Sequence, residues 1–168
     1  RLLSAAAEEA PGFPRDRLRV LLHQRVAAAA QDHGLRLSAK RDGVEGVLIR
    51  KKRSIWLSHQ DEMTTAVLLG VNPSEEKRHT ALWKKTVHGR YLEPGEGALY
   101  ISQPVASKLK VTVGDRLQIG FKPGSTVAEW EVCGIYQTGI SYLDNGLAFC
   151  PVEVFPGSNF GRSASVFL

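Results

Sequence analysis

The chain has 168 residues, 43% of them hydrophobic and 23% charged, with a net charge of +5. That composition excludes a disordered chain and suits one domain, or two small subdomains sharing a core. The longest apolar runs, residues 27–30 and 66–71, fall far short of the ~20 residues that cross a bilayer, and no stretch reads as a signal peptide. The first residue is Arg1 and the one methionine is Met63, so the sequence is expected to be a piece of a longer protein. The charge is uneven: residues 1–60 hold 12 Lys and Arg against 6 acids, and residues 61–168 hold 10 against 11. We read the basic first third as a solvated face, with an acidic partner or an anionic membrane surface as the alternative.

In chain order, residues 1–10 suit a short helix, ended by Pro11, Gly12 and Pro14. Leu18, Leu21, Leu22, Val26 and Ala29 then recur at helical spacing through residues 15–31, and Gly34 is a stop. Short strands are predicted at 35–39, 44–49 and 55–57. Asp42-Gly43 is a hairpin turn pair, and Arg50-Lys51-Lys52-Arg53 is read as an exposed link between two strands. Residues 64–71 form a nearly continuous apolar run, predicted to be a strand buried on both faces. A helix follows to about Lys85, with Asn72 as its cap, Pro73 at its first position, Glu75 in its first turn, and Ala81, Leu82 and Trp83 inward. Gly89 is its stop. The second half reads as mostly β: strands at 98–102, 117–121, 127–136, 147–151 and 164–168, a helix at 104–109, and a turn at 122–125. Ala128, Trp130 and Val132 alternate with Glu129 and Glu131, as on a half-buried strand.

No catalytic, cofactor-binding or metal-binding set assembles from these residues. The five histidines form no ligand pattern. His59 with Asp61 and Glu62 reads as a solvated turn. Neither a Gly-x-Ser-x-Gly elbow nor a phosphate-binding loop occurs, and Gly95 and Gly97 lack the spacing of a dinucleotide site. Cys133 and Cys150 are read as buried thiols, with a disulfide as the alternative. The four cations at 50–53 would suit phosphates, but aromatic platforms are missing beyond Trp56, so nucleic acid is not expected as a partner. No deep pocket holding a buried charged pair with converging donors is expected either.

Three segments in order carry a resemblance. The first is Leu69-Gly70-Val71-Asn72-Pro73-Ser74-Glu75-Glu76, followed by Gly89-Arg90-Tyr91-Leu92. The second runs from Ala98-Leu99-Tyr100-Ile101 through Val105-Ala106-Ser107-Lys108-Leu109 to Val113-Gly114-Asp115-Arg116-Leu117. The third is Val132-Cys133-Gly134-Ile135-Tyr136-Gln137-Thr138-Gly139, with Asp144 after it. Together they resemble the periplasmic core domain of MacB- and LolC/LolE-type (FtsX-like) ABC-transporter permeases, with Gly70, Asn72, Pro73, Glu76, Gly114, Asp115, Gly134, Tyr136 and Gly139 as structural signature positions. The family commonly has a glycine after the strand at 98–101, where this chain has Ser102-Gln103. The resemblance implies an α+β fold: a Porter-like α/β subdomain (1–85 with 152–168) and an inserted β-rich, Sabre-like subdomain (86–151). It implies no enzyme and no cofactor. The domain would face the periplasm from an inner-membrane permease and couple ATP hydrolysis by a cytoplasmic ATP-binding subunit to lipoprotein release or to peptide or drug export. A periplasmic adaptor or lipoprotein carrier, and a permease dimer, are the implied partners. A stand-alone extracellular ligand-binding or adhesion module is the alternative. On plain physical grounds Gly114 suits a tight turn and Gly134 a bulge or close backbone approach.

Overall fold

The computed structural model describes residues 46–157 and 161–167. The expectations for residues 1–43 lie outside the described residues, as does the start of the strand expected at 44–49. Two compact units divide the chain: Leu48–Ser163, and Arg1–Val47 with Ala164–Leu168. Of the second unit, residues 46–47 and 164–167 are described.

The strands are β1 (Gly46–His59), β2 (Glu62–Val71), β3 (Thr86–Gly89), β4 (Ala98–Ser102), β5 (Arg116–Gly120), β6 (Ala128–Tyr136), β7 (Leu147–Pro151) and β8 (Gly161–Phe167). The helices are α1 (Pro73–His79), α2 (Gln103–Leu109) and the single turn α3 (Ser141–Asp144), with 3₁₀ turns at Leu82–Lys85 and Val152–Val154. The fold is α+β. Strand order is β2-β7-β4-β6-β5-β1, and β1 pairs again with β2. Six strands thus close into a ring. The β2–β7 and β4–β6 pairs are parallel, and β1–β2, β1–β5, β4–β7 and β5–β6 are antiparallel. Closure removes the open edges that invite foreign strands. The ring takes β1 and β2 from the stretch 1–85 and β4 to β7 from 86–151.

All six strands send alternate residues into one cluster: Ile55 and Leu57, Ala66 and Leu68, Leu99 and Ile101, Leu117 and Ile119, Val132 and Ile135, Ala148 and Cys150. A cluster fed by every strand of a closed ring is its interior. Helix α2 plugs it with Val105, Ala106 and Leu109. Each such leucine, fully buried, contributes about 2 kcal/mol. The helix starts where the Ser102 hydroxyl accepts from the Val105 N–H, and it ends at Lys110 in the left-handed region, φ 54°. Strand β6 holds two alternations together through a bulge. Leu99 pairs with Val132 but Tyr100 pairs with Gly134. The extra residue returns Ile135 to the interior and turns Tyr136 outward.

Three expectations are corrected. The cations at 50–53 are not a link but the middle of one continuous strand, β1. Their side chains fit there because the strand alternates. Lys51 lies over the Phe155 ring (5.9 Å) and Arg53 over the Phe121 ring (3.4 Å), shielding aromatics at the margin of the ring core. Strand β2 is buried in alternation, with Ala66 and Leu68 inside, Val67 and Leu69 outside and half-buried, and Thr65 exposed. The helix after Asn72 stops at His79, where the Thr80 hydroxyl and N–H both turn back to the Glu76 carbonyl at 2.9 and 2.8 Å. Of the three residues expected inward beyond it, Leu82 is half-buried while Ala81 and Trp83 are exposed. Gly89 therefore ends a strand, β3, and not a helix.

Candidate functional site

The outer face of the ring carries a second cluster: Val71, Tyr91, Leu92, Ala98, Tyr100, Cys133, Tyr136, Leu147 and Phe149. Its cover is incomplete over β1, β2 and β7. Paired residues on neighbouring strands share a face, so the register lays two rungs side by side. Lys52, Leu69 and Phe149 form one, and Ser54, Val67 and Leu147 the other. These rungs floor a groove of about 1220 Å³.

One wall is α1 with the 3₁₀ turn after it. Asn72 caps α1 by accepting from the N–H groups of Ser74 (3.1 Å) and Glu75 (3.2 Å). The cap aims Glu76 at the sheet, where Arg50 donates to it from Nε (2.5 Å) and Nη2 (3.1 Å). The two side chains are only 16% and 4% exposed. The pair lines the groove wall, with Glu76 buried and Arg50 half-buried. The partners lie 26 residues apart, so no local spacing announces the pair. Tyr100 ties the wall to the floor: its hydroxyl lies 2.7 Å from Thr86 Oγ1 and donates to the Leu82 carbonyl at 3.3 Å. Burial pushes its pKa up to about 12.

The other wall is the loop 138–146. Asp144 organises it, accepting from the Thr138 N–H (3.0 Å), the Thr138 hydroxyl (2.7 Å) and the Gly139 N–H (2.9 Å). Burial, the largest influence, pushes the Asp144 carboxyl up. The donated hydrogen bonds together outweigh it and hold the group below the usual carboxylate range. Gly139 sits at φ 80°, which frees its N–H to face the carboxylate. Tyr136 stacks on Tyr100 at 5.0 Å and donates its hydroxyl to the carbonyls of Leu143 (2.8 Å) and Leu147 (3.0 Å). Braced at these points, the loop turns Leu143 toward the floor and holds Ile140 and Tyr142 out, 57% and 79% exposed.

The other signature positions lie outside the groove lining. Gly70 lies at the end of β2, where an added Cβ would stand 2.5 Å from Phe155 Cδ2. Pro73 opens α1. Gly114 turns at φ 96°, and Asp115 beside it accepts from the Thr112 N–H (2.7 Å) and hydroxyl (3.2 Å). Gly134 packs so close that a Cβ would meet the Arg90 carbonyl oxygen at 2.0 Å. Both cysteines are buried free thiols, Cys150 inside the ring and Cys133 outside it. Burial pushes each up to about 12. His59, Asp61 and Glu62 surround the β1–β2 hairpin turn, and Glu62 pairs with Lys110. Among the described residues no three His, Cys, Asp or Glu side chains gather as metal ligands. The groove lining offers hydroxyls, ammonium groups and one acid already bound to Arg50. Such a set binds by shape and charge. Arg50, Lys52 and Lys85 line the groove, a placement the sequence did not announce; for the first two a signal was there in part, since four cations between apolar runs can continue a strand if they alternate.

No family model matches the chain, and no curated protein matches it in sequence. Solved structures do match in fold. The extracellular domain of the noncanonic ABC-type transporter YknZ from Gram-positive bacteria aligns with a TM-score of 0.55 and 22% identity, over 75% of this chain and 66% of that one. The periplasmic region of MacB from Actinobacillus actinomycetemcomitans aligns at 0.52 and 13%, over 75% and 59%. A domain of a permease protein from Porphyromonas gingivalis aligns at 0.52 and 18%, over 85% and 66%. The chain spans about two thirds or less of the length of these solved domains, and it shares their fold.

Proposed function

We propose that this chain is a non-catalytic extracytoplasmic domain of an ABC-transporter permease of the MacB/FtsX-like kind. The carrying observation is the likeness in fold to the extracellular domain of one ABC-type transporter and the periplasmic region of MacB, with a domain of a permease protein beside them. The ordered signature segments between Leu69 and Asp144 support the same reading independently of the fold. No helix among the described residues is long and apolar enough to cross a membrane. In the parent protein a cytoplasmic ATP-binding subunit or domain hydrolyses ATP, and the membrane helices pass the motion to this domain, which moves cargo outside the inner membrane. The cargo is a lipoprotein, or a peptide or drug, and a periplasmic adaptor or lipoprotein carrier receives it from a permease that works as a dimer. The division into a Porter-like part (1–85 with 152–168) and a Sabre-like part (86–151) belongs to this proposal, as the way the whole domain is jointed.

The parent polypeptide tests this reading. It should carry membrane-spanning stretches of about 20 apolar residues around this segment. Deleting the segment should abolish transport and leave ATP hydrolysis by the cytoplasmic partner measurable. A parent without such stretches overturns the proposal. The groove favours a second reading, a stand-alone extracellular ligand-binding module, because an apolar floor with a few convergent polar groups is how binding sites are built. Absence of spans in the parent, with ligand binding retained, would select it.

A further inference from the structure

We propose that the groove is the docking site for an acidic amphipathic helix of a partner protein, seated with its apolar side chains on Leu69 and Phe149 and its carboxylates at Lys52 and Lys85. The proposal deepens the permease reading by naming the chemistry of the extracytoplasmic partner, and it rests on that reading only for where the partner is found.

Size and shape point to a helix. The groove, at about 1220 Å³, exceeds the roughly 300–1,000 Å³ that a small molecule fills. Its floor crosses β1, β2 and β7, three strands about 4.8 Å apart, so it is about 10 Å wide, the diameter of a helix with its side chains. Strand addition is ruled out at this place, since β2 is already paired with β1 and β7, and β7 with β2 and β4.

Charge selects the helix. The lining holds Arg50, Lys52, Arg53 and Lys85 against Glu76 alone. Glu76 is engaged by Arg50, and Arg53 lies over Phe121. Lys52 and Lys85 are exposed, and neither makes an ion pair among the described residues. Lys52 begins the rung that continues into Leu69 and Phe149, which puts an ammonium group directly beside apolar floor. A helix with acids flanking an apolar stripe meets both features, and a basic one is repelled. At the lip, Ile140 and Tyr142 stand ready on a loop already fixed by Asp144, so little ordering opposes binding.

The test uses the full 168-residue chain and fluorescence anisotropy. The probe is a labelled helical peptide of about 16 residues with leucines at i, i+3, i+4 and i+7 and glutamates elsewhere; a version with lysines for glutamates and vesicles of phosphatidylglycerol serve as competitors. Binding of the acidic peptide alone is expected, weakening as salt is raised. Lys52→Glu with Lys85→Glu should weaken it about tenfold, and Tyr142→Ser should weaken it while leaving the thermal midpoint unchanged. Absence of binding, equal binding of both peptides, preference for vesicles, or indifference to the charge reversal overturns the proposal. So does self-association of the chain through this face, seen by sedimentation and lost in Tyr142→Ser. Failed peptide binding in a parent with membrane spans defeats this inference alone; peptide binding in a parent without spans defeats the permease reading alone.

Discussion

Single glycines and tyrosines around the ring differ sharply in what they tolerate. Gly134 has the Arg90 carbonyl oxygen 2.0 Å from where a Cβ would stand, and backbone on that side cannot give way cheaply. Gly114 has nothing within 4 Å and bears only the cost of φ 96°. Gly134→Ala should therefore cost about 3 kcal/mol or more by forcing backbone apart, and Gly114→Ala about 1–2 kcal/mol. Urea denaturation of the two variants checks the ranking. Among the tyrosines, the Tyr91 hydroxyl is buried with no partner among the described residues, whereas that of Tyr136 serves two carbonyls. Tyr91→Phe should be neutral or slightly stabilising and Tyr136→Phe destabilising by about 1 kcal/mol, read from thermal midpoints.

At the scale of elements, the two walls of the groove respond to different conditions. The Asp144 loop responds to acid. Its carboxyl is held below the unfolded value of about 3.9, so the stability it lends is fully present above that value. The contribution is lost as pH falls through the lower folded value. Near neutral pH the loop is insensitive. Below about pH 4 the amide signals of Thr138 and Gly139 should shift first, and Asp144→Ala should remove that transition. Helix α1 responds to the loss of its pair. Glu76→Ala strips a mostly covered guanidinium of its carboxylate and should cost about 3 kcal/mol. Glu75→Ala breaks an exposed pair with Arg78, 72% and 41% exposed, and should cost well under about 1 kcal/mol. Comparing denaturation midpoints of the two variants separates the roles of neighbouring acids.

For the molecule as a whole, local signals were legible and register was not. The Asn72 cap, the strands at 98–102 and 147–151, the alternation from Ala128 to Val132 and the turn at 122–125 were readable, because each depends on residues within a few positions. The continuity of β1 was hidden by its cations, whose places depend on Phe155, Phe121 and Glu76, all far along the chain. Ring closure depends on three residue pairs between β1 and β5, Trp56 with Gly120, Leu57 with Ile119 and Ser58 with Gln118, and no spacing in the chain announces them. The groove was invisible for the same reason: its floor joins the β1–β2 hairpin to β7, which lies far along the chain. The resemblance reached the fold through glycine positions, because a bulge or a left-handed turn leaves a mark on a single residue.

The two sulfurs give this architecture a use at the bench. Cys150 points into the ring and Cys133 into the outer layer, and burial keeps both protonated at any ordinary pH. An alkylating reagent should therefore stall on the intact protein and advance only as each compartment breathes. With Cys133→Ala or Cys150→Ala in place, the labelling clock of the remaining thiol times one compartment alone, by mass spectrometry. A helical peptide seated in the groove should slow the clock at Cys133 more than the one at Cys150.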